Sequence, residues 1–411
     1  MKNKKAQLAA VSTVLFIVLF SLGTWLSLRK PLWTDEINSQ ARGIDIFSYK
    51  DILLGEFPEV NLCPLFYLTQ ETISRIFHYR FPLPWMQEWS IYEPTSQWLL
   101  RLAPNLFMSL ALMAIFIFFS LYESYWAGAF SLLMSFSSFM VWFYWVEARP
   151  YSLWFLLTTL QTILLFSILR HNENDHALWK WMIVIHLLLA FTIFFSAPQI
   201  VVVSLLLWCY KKRHLGIYIF LTYLPLAVCL FYYFSVKKLY KFTTMNLLEM
   251  GQQMFSALFY IPWEKNWLEL ISLVQLNVPQ EWLLMLGGYA IYLSAIFIQQ
   301  KREKIEKQYL TKRIDRKVFF LLPMLFWLSS LVILVYFKYL IEIKEGLVVS
   351  ERYFIYLVPV FILSLTFATV DILNRFKENL WVRINLGLAV GGLVFLGALK
   401  TYLKILSLGL Y

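Results

Sequence analysis

Residues 100–169 read LRLAPNLFMSLALMAIFIFFSLYESYWAGAFSLLMSFSSFMVWFYWVEARPYSLWFLLTTLQTILLFSIL, and this stretch decides the fold class. Its only charged residues are Arg101, Glu123, Glu147 and Arg149, each at an end of an apolar run. A helix needs about 20 apolar residues to cross a hydrocarbon layer about 30 Å thick. The runs 100–121, 127–146 and 150–169 each supply that length. Backbone N–H and C=O groups in lipid must pair within their own segment, which makes such runs helices. The stretch reads as three successive membrane spans joined by short turns.

Working outward, comparable runs occur at 7–28, 179–196, 199–210, 216–235, 282–299, 318–338, 353–373 and 382–400. The chain is therefore predicted to be an all-α polytopic membrane protein with about eleven transmembrane helices. Composition agrees, with 60% hydrophobic and 15% charged residues and a mean hydropathy of +0.63. A soluble domain carries about 25% charged residues, and so apolar a chain cannot wet its own surface. Met1–Lys5 and the run behind it resemble a signal peptide, but no small-residue cleavage site follows and the run is long enough to span. A retained first helix is expected. Cys63, Cys209 and Cys229 are odd in number and widely spaced, which speaks against a disulfide framework or a thiolate metal site.

The net charge of +11 is a matter of placement. Basic residues gather in Lys2–Lys5, 170–180, Lys211–Arg213, 299–317 and 374–383, and 299–317 alone holds eight. Short basic loops stay in the cytoplasm, so the N-terminus is expected there. Loops 29–99, 236–281 and 339–352 then face outward, and the outward segments with the helix mouths carry 17 of the 25 acidic residues. Anionic lipid headgroups account for the basic side, and no nucleic-acid partner is called for. No internal repeat or low-complexity linker divides the chain, so one membrane domain over 1–411 is expected. Loop 29–99 far exceeds the roughly 12–15 residues of a bare connection. Within it, 44–54 and 66–77 repeat apolar residues at helical spacing, as interfacial helices do. In loop 236–281, the stretches 260–267 and 275–280 read as headgroup-level structure.

No Asp, Glu, Lys or Arg lies deep in a proposed span, which argues against proton or ion carriage. Gln161 and His186 do lie inside, and an interhelical hydrogen-bond role is the plainer reading of His186. No helix shows a polar stripe that would line a transport groove, although 127–146 and 150–169 carry scattered Ser and Thr. Charge instead collects at the outer mouths in three places. Trp33-Thr34-Asp35-Glu36 follows the first span; its adjacent carboxylates repel unless a basic group meets them. Asp35 could equally cap a short helix carrying Arg42 on a later turn. Glu147-Ala148-Arg149-Pro150-Tyr151 forms an outer turn, and Pro150 suits the first turn of the next helix. A mutual ion pair of Glu147 and Arg149 within an aromatic belt is the competing reading there. Glu351-Arg352-Tyr353 opens a late span; its guanidinium could fork onto a phosphate or snorkel to lipid headgroups.

Five short elements in order resemble the GT-C superfamily of membrane glycosyltransferases, in the branch of protein O-mannosyltransferases and aminoarabinose transferases. They are LWTDE (32–36), CPLFY (63–67), LLRLAPN (99–105), VEARPYSL (146–153) and RYFIYLVP (352–359). The resemblance implies an inverting transferase that takes a sugar from a polyprenyl-phosphate donor in the outer leaflet. Asp35 would be the general base toward an acceptor hydroxyl, with Glu36 beside it. Arg149, Arg352 and Arg42 would take up the charge of the departing phosphate. Glu147 would orient Arg149 or bind sugar hydroxyls, with Tyr67, Tyr151 and Tyr353 as further substrate contacts. The acceptor would be a glycan, lipid or protein, and no cofactor is implied. Two histidines frequent in the family are replaced here by Asn61-Leu62-Cys63 and Phe195-Ser196-Ala197, so no metal is expected. A flippase or carrier of lipid-linked saccharides is the alternative.

Overall fold

The computed structural model describes residues 2–40, 44–54, 64–79, 94–170, 176–210, 216–231, 322, 326, 354–376 and 379–407. Its helices are α1 (Lys2–Arg29), α2 (Thr34–Ser39), α3 (Tyr49–Leu53), α4 (Pro64–Ile76) and α5 (Pro94–Leu100). There follow α6 (Leu102–Tyr122), α7 (Tyr125–Ser137), α8 (Phe139–Tyr144), α9 (Tyr151–Arg170) and α10 (His176–Ala190). The last four are α11 (Ser196–Tyr210), α12 (Gly216–Phe231), α13 (Leu357–Arg375) and α14 (Leu380–Ser407). Among the described residues, α1, α6, α9, α13 and α14 are long and apolar enough to cross a membrane. The fold is that of an all-helical polytopic membrane protein. Nine of the eleven predicted runs overlap these helices, five of which are long and apolar enough to span; 282–299 lies outside the described residues and 318–338 is described only at Leu322 and Phe326. The expected headgroup-level stretches 260–267 and 275–280 also lie outside them.

Two spans differ from expectation. The run 127–146 is not one helix; it breaks at Ser138 into α7 and α8. Inside a membrane the carbonyls freed by a break need donors, and they have them. Trp142 Nε1 donates to Phe136 O at 2.7 Å and Thr401 Oγ1 of α14 donates to Ser137 O at 2.8 Å. Hydropathy cannot register such a break, because its compensating partners come from other segments. The run 179–196 stops at Ala190, and α11 begins at Ser196 rather than 199. Pro198 thus falls in the first turn of α11, where its missing N–H needs no partner.

Helix α9 lies inside the bundle, with 78% of its apolar window buried against 22% for α1 and 11% for α14. It meets α10, α11 and α12 through one continuous chain of buried hydrogen bonds. Trp154 Nε1 donates to Gln199 Oε1 at 3.0 Å, and Gln199 Nε2 donates to Gln161 Oε1 at 2.6 Å and Thr158 Oγ1 at 3.0 Å. Gln161 Nε2 lies 2.9 Å from His186 Nε2, and His186 Nδ1 lies 3.1 Å from the Thr222 carbonyl. A carbonyl only accepts, so Nδ1 carries the proton and Nε2 accepts from Gln161. Pro225, three residues beyond Thr222 in α12, disturbs the carbonyls of that turn. The expected interhelical role of His186 is what the structure shows. The residues of this network are fully buried and meet one another, so they pack helices together.

α1 crosses α6 at Gly23. A Cβ there would overlap Asn105 Oδ1 and lie 2.6 Å from Trp145 Nε1. Asn105 Nδ2 donates across to Phe20 O (3.0 Å) and Thr24 Oγ1 (3.2 Å), while its Oδ1 accepts from Trp145 Nε1 (3.2 Å) and Ser109 Oγ (3.3 Å). Small residues at such crossings let polar groups reach the neighbouring backbone. The clasp fixes Trp145, where the turn 145–150 begins, against the last two turns of α1.

In the loop after α1, Ser48 caps α3 by accepting from Asp51 N at 3.4 Å, and Asp51 returns a bond to Ser48 N at 2.9 Å. The expected interfacial helix over 44–54 is thus shortened to five residues. The one expected over 66–77 is α4. It ends with His78 at φ 49° and Tyr79 N donating to Ser74 O at 2.8 Å, a left-handed C-terminal cap.

Candidate active site

The ends of α1, α6, α8 and α9 converge with α2 on a group of buried charges. α2 starts two residues beyond Leu32, and Trp33 N donates to Glu36 Oε2 at 2.9 Å. Glu36, not Asp35, closes this first helical turn, so the expected capping role of Asp35 is corrected; Asp35 occupies the second position of α2 and is half-buried. Glu36 is completely buried. Its Oε1 accepts from Arg101 Nε (3.0 Å) and Ala148 N (2.7 Å), and its Oε2 also accepts from Arg101 Nη2 (2.7 Å).

Arg101, at the junction of α5 and α6, is equally buried. Besides Glu36 it donates from Nη1 to Ser27 O (3.0 Å) and Lys30 O, and from Nη2 to Pro31 O (2.8 Å). All five guanidinium N–H groups therefore meet acceptors. Burial by itself would raise the Glu36 carboxyl; the charge and hydrogen bonds of Arg101, joined by Lys30 and the Ala148 N–H, prevail and hold it below the usual range. A basic group does meet the adjacent carboxylates, and it is Arg101. Beneath the Glu36–Ala148 bond, Ile37, Leu100 and Ala148 pack together with Leu32 and Tyr79.

Lys30 leaves α1 just before this cluster. Its Nζ donates to Phe143 O at 2.6 Å, lies 4.1 Å from the centre of the Phe143 ring and stands 3.8 Å from Glu147 Oε2. Burial pushes its ammonium below the ordinary lysine value, while Glu147 and Glu36 draw it back up. Among the described residues Glu147 pairs with Lys30, in place of the expected Glu147–Arg149 pair. Arg149 turns to α2 instead, where its Nη1 donates to Ser39 Oγ at 2.6 Å. Ser39 lies four residues after Asp35 and so on the same face of α2. Arg149 is thereby tied to the short helix that bears Asp35.

No family model matches the chain, and no curated protein matches it. Among solved structures it is similar to ArnT from Cupriavidus metallidurans in the apo state, at 12% identity and a TM-score of 0.55, over 98% of this chain and 77% of that one. It is also similar to ArnT from the same organism bound to undecaprenyl phosphate, at 11% identity and a TM-score of 0.51, over 100% and 77%. The fold is GT-C-like.

Within this GT-C-like frame, the expected site residues divide into three groups. The Glu36–Ala148 and Arg149–Ser39 bonds tie α2, which bears Asp35 and Glu36, to the turn that bears Glu147 and Arg149. Tyr67 and Tyr151 are buried. Tyr151 meets Tyr144 edge-on at 5.1 Å. Tyr67 shares a face of α4 with Gln70 and Ser74, which reach Leu100 O (2.7 Å) and Gln40 (3.1 Å). Arg42, Arg352 and Tyr353 lie outside the described residues. Of the chain that follows them, Tyr356 stacks on Trp154 at 4.9 Å, one turn beyond Tyr151.

Lys30, Ser39 and Arg101 were not among the expected site residues. Arg101 stood inside LLRLAPN as the lone charge opening an apolar run, and Lys30 was a cation on the side predicted to be poor in them. Both signals were present. Neither says what the cation meets.

Proposed function

We propose that this protein is an inverting membrane glycosyltransferase that moves a sugar from a polyprenyl-phosphate-linked donor to an acceptor hydroxyl. The observation that supports the proposal is the docking of Arg149 through Ser39 onto α2, the helix that bears Asp35, at the helix ends of a fold shared with an undecaprenyl-phosphate-bound ArnT. Asp35 accepts the acceptor's hydroxyl proton as the oxygen attacks the anomeric carbon. The bond from that carbon to the phosphate oxygen breaks on the opposite face, and polyprenyl phosphate leaves with the electron pair. Arg149, with Arg42 and Arg352, takes up the charge on the leaving oxygen. Asp35 is half-buried, so an incoming hydroxyl can reach it, whereas Glu36 is completely buried. Glu36 is accordingly a positioning residue. Glu147 holds the turn that carries Arg149, and Tyr67, Tyr151 and Tyr353 contact the substrates. Arg and Lys side chains neutralise the donor phosphate without a metal.

The 411 residues form one membrane domain, with 29–99 and 236–281 as outward loops. The N-terminus is cytoplasmic, and the site opens to the periplasmic or extracellular side of the plasma membrane. Lipid-linked sugar and a glycan, lipid or protein hydroxyl are its partners. A carrier role gains no support from the buried polar chain of α9–α12, because protein groups close it.

The test uses purified protein in vesicles with polyprenyl-phosphate sugars, following transfer to acceptor and release of polyprenyl phosphate. Asp35→Asn is expected to insert normally and to lose at least about 100-fold in rate, the usual scale of general-base catalysis. Wild-type turnover in that variant would remove Asp35 from the chemistry, and movement of donor across the bilayer without transfer would favour the carrier.

A further inference from the structure

Lys30 has no part in the chemistry just described, yet its position is unusual for a lysine. It is 5% exposed and touches four separate parts of the site. Its N–H continues α1 by donating to Leu26 O at 2.9 Å. Its carbonyl accepts from Arg101 Nη1. Its ammonium donates to Phe143 O at 2.6 Å, at the end of α8, where the last carbonyls lack helical partners. The same ammonium faces Glu147 at 3.8 Å. A buried charge is tolerated when paired, and here the pairing joins the exit of α1 to the turn that carries Arg149.

We propose that Lys30 is a positioning residue of the transfer site, holding the 145–150 turn through Glu147 and the Phe143 carbonyl so that Arg149 stays docked on Ser39 of α2, the helix that bears Asp35. This rests on the transferase reading given above. Lys30 sets the geometry in which the leaving phosphate meets Arg149, so its effect falls on turnover more than on donor binding. The charged groups surrounding it are Glu147 on the turn, Glu36 on α2 and Arg101 at the start of α6.

The experiment is a double-mutant cycle of Lys30→Met and Glu147→Gln in full-length protein, with Asp35→Asn as the control for the chemistry. Methionine keeps the length of the side chain and removes its charge. Lys30→Met is expected to lower kcat per folded enzyme about 10- to 100-fold with donor KM changed less than about threefold. In the Glu147→Gln background the same substitution is expected to lower kcat clearly less than in the wild type, because the ionic part of its hold on the turn is already gone and only the Phe143 carbonyl remains. A thermal midpoint lowered by Lys30→Met and partly recovered in the double variant checks the buried pair without recourse to activity. Wild-type kcat in folded Lys30→Met, or an equal loss in both backgrounds, overturns the proposal while leaving an inactive Asp35→Asn, and so the transferase, intact. Transfer that survives Asp35→Asn, or a wild type that transfers nothing, overturns the transferase reading itself.

Discussion

Arg101 offers five N–H groups, and Glu36, Ser27, Lys30 and Pro31 accept all of them. A guanidinium can do this because its donors lie in a fixed plane that matches a carboxylate fork, which an ammonium cannot reproduce. Removing one side of such a buried pair leaves a bare charge and costs about 3–5 kcal/mol. Arg101→Lys is accordingly expected to lower the thermal midpoint in detergent sharply and to abolish transfer; an unchanged midpoint would show that the pair contributes nothing. Glu36 also sets a pH dependence. Its carboxyl is held below the ordinary value of 4.5 when folded, so the unfolded chain binds more protons as pH falls past that value. The stabilisation is complete above it and is lost as pH falls through the folded value. The midpoint is expected to be level between about pH 7 and about pH 5 and to fall below that, and this fall should be smaller in Glu36→Gln.

Elements are positioned by what crosses between them. α1 carries Lys30 and leads into α2, so any shift of α1 against α6 moves the whole acidic mouth. Their crossing is closed by Asn105 over Gly23, and Asn105 has bonds to Phe20, Thr24, Ser109 and Trp145. A methyl group at Gly23 would displace the Asn105 side chain and break them. Gly23→Ala is expected to cost about 1–3 kcal/mol, as over-packing does, and to reduce transfer as Trp145 moves. Gly23→Ala combined with Asn105→Ala removes the overlap with Asn105 but leaves the contact with Trp145 Nε1, so it should recover stability in part and transfer not at all; full recovery of both would mean the clasp does not place the site turn. The α7–α8 break works in the same way. Its freed carbonyls are met by Trp142 and by Thr401 of a distant helix, which a local reading of 127–146 has no means of seeing.

At the scale of the whole molecule, the ends of α1, α6, α8 and α9 converge on one group of buried charges, and the basic stretches 170–180 and 299–317 are expected on the other side of the membrane. The positive-inside rule puts those stretches in the cytoplasm. Single cysteines replacing Lys50 and Lys307, in a chain with Cys63, Cys209 and Cys229 changed to Ser, should differ in intact cells. An impermeant thiol reagent is expected to label position 50 and to reach position 307 only after lysis. Reversed labelling would turn the site toward the cytosol and remove the outer-leaflet donor from the mechanism.

Span positions were legible because apolar length is a local property: a run such as Tyr151–Leu169 can satisfy its backbone and its solvent only as a membrane helix. Asp35, Glu147 and Arg149 were legible as charges that had to gather at helix mouths. Which charge meets which was not legible. Sequence offered Glu147 to Arg149 and a cap to Asp35, whereas folding gives Glu147 to Lys30, Glu36 to Arg101 and Arg149 to Ser39. A buried ion is settled by the partner that reaches it across 65 or more residues of chain, and only tertiary packing brings that partner near. The amino-acid order alone thus determined the solvent of this protein and the helix ends where its charges gather. The tertiary structure decided the pairing, because the energy of a buried charge depends on distances that no local pattern contains.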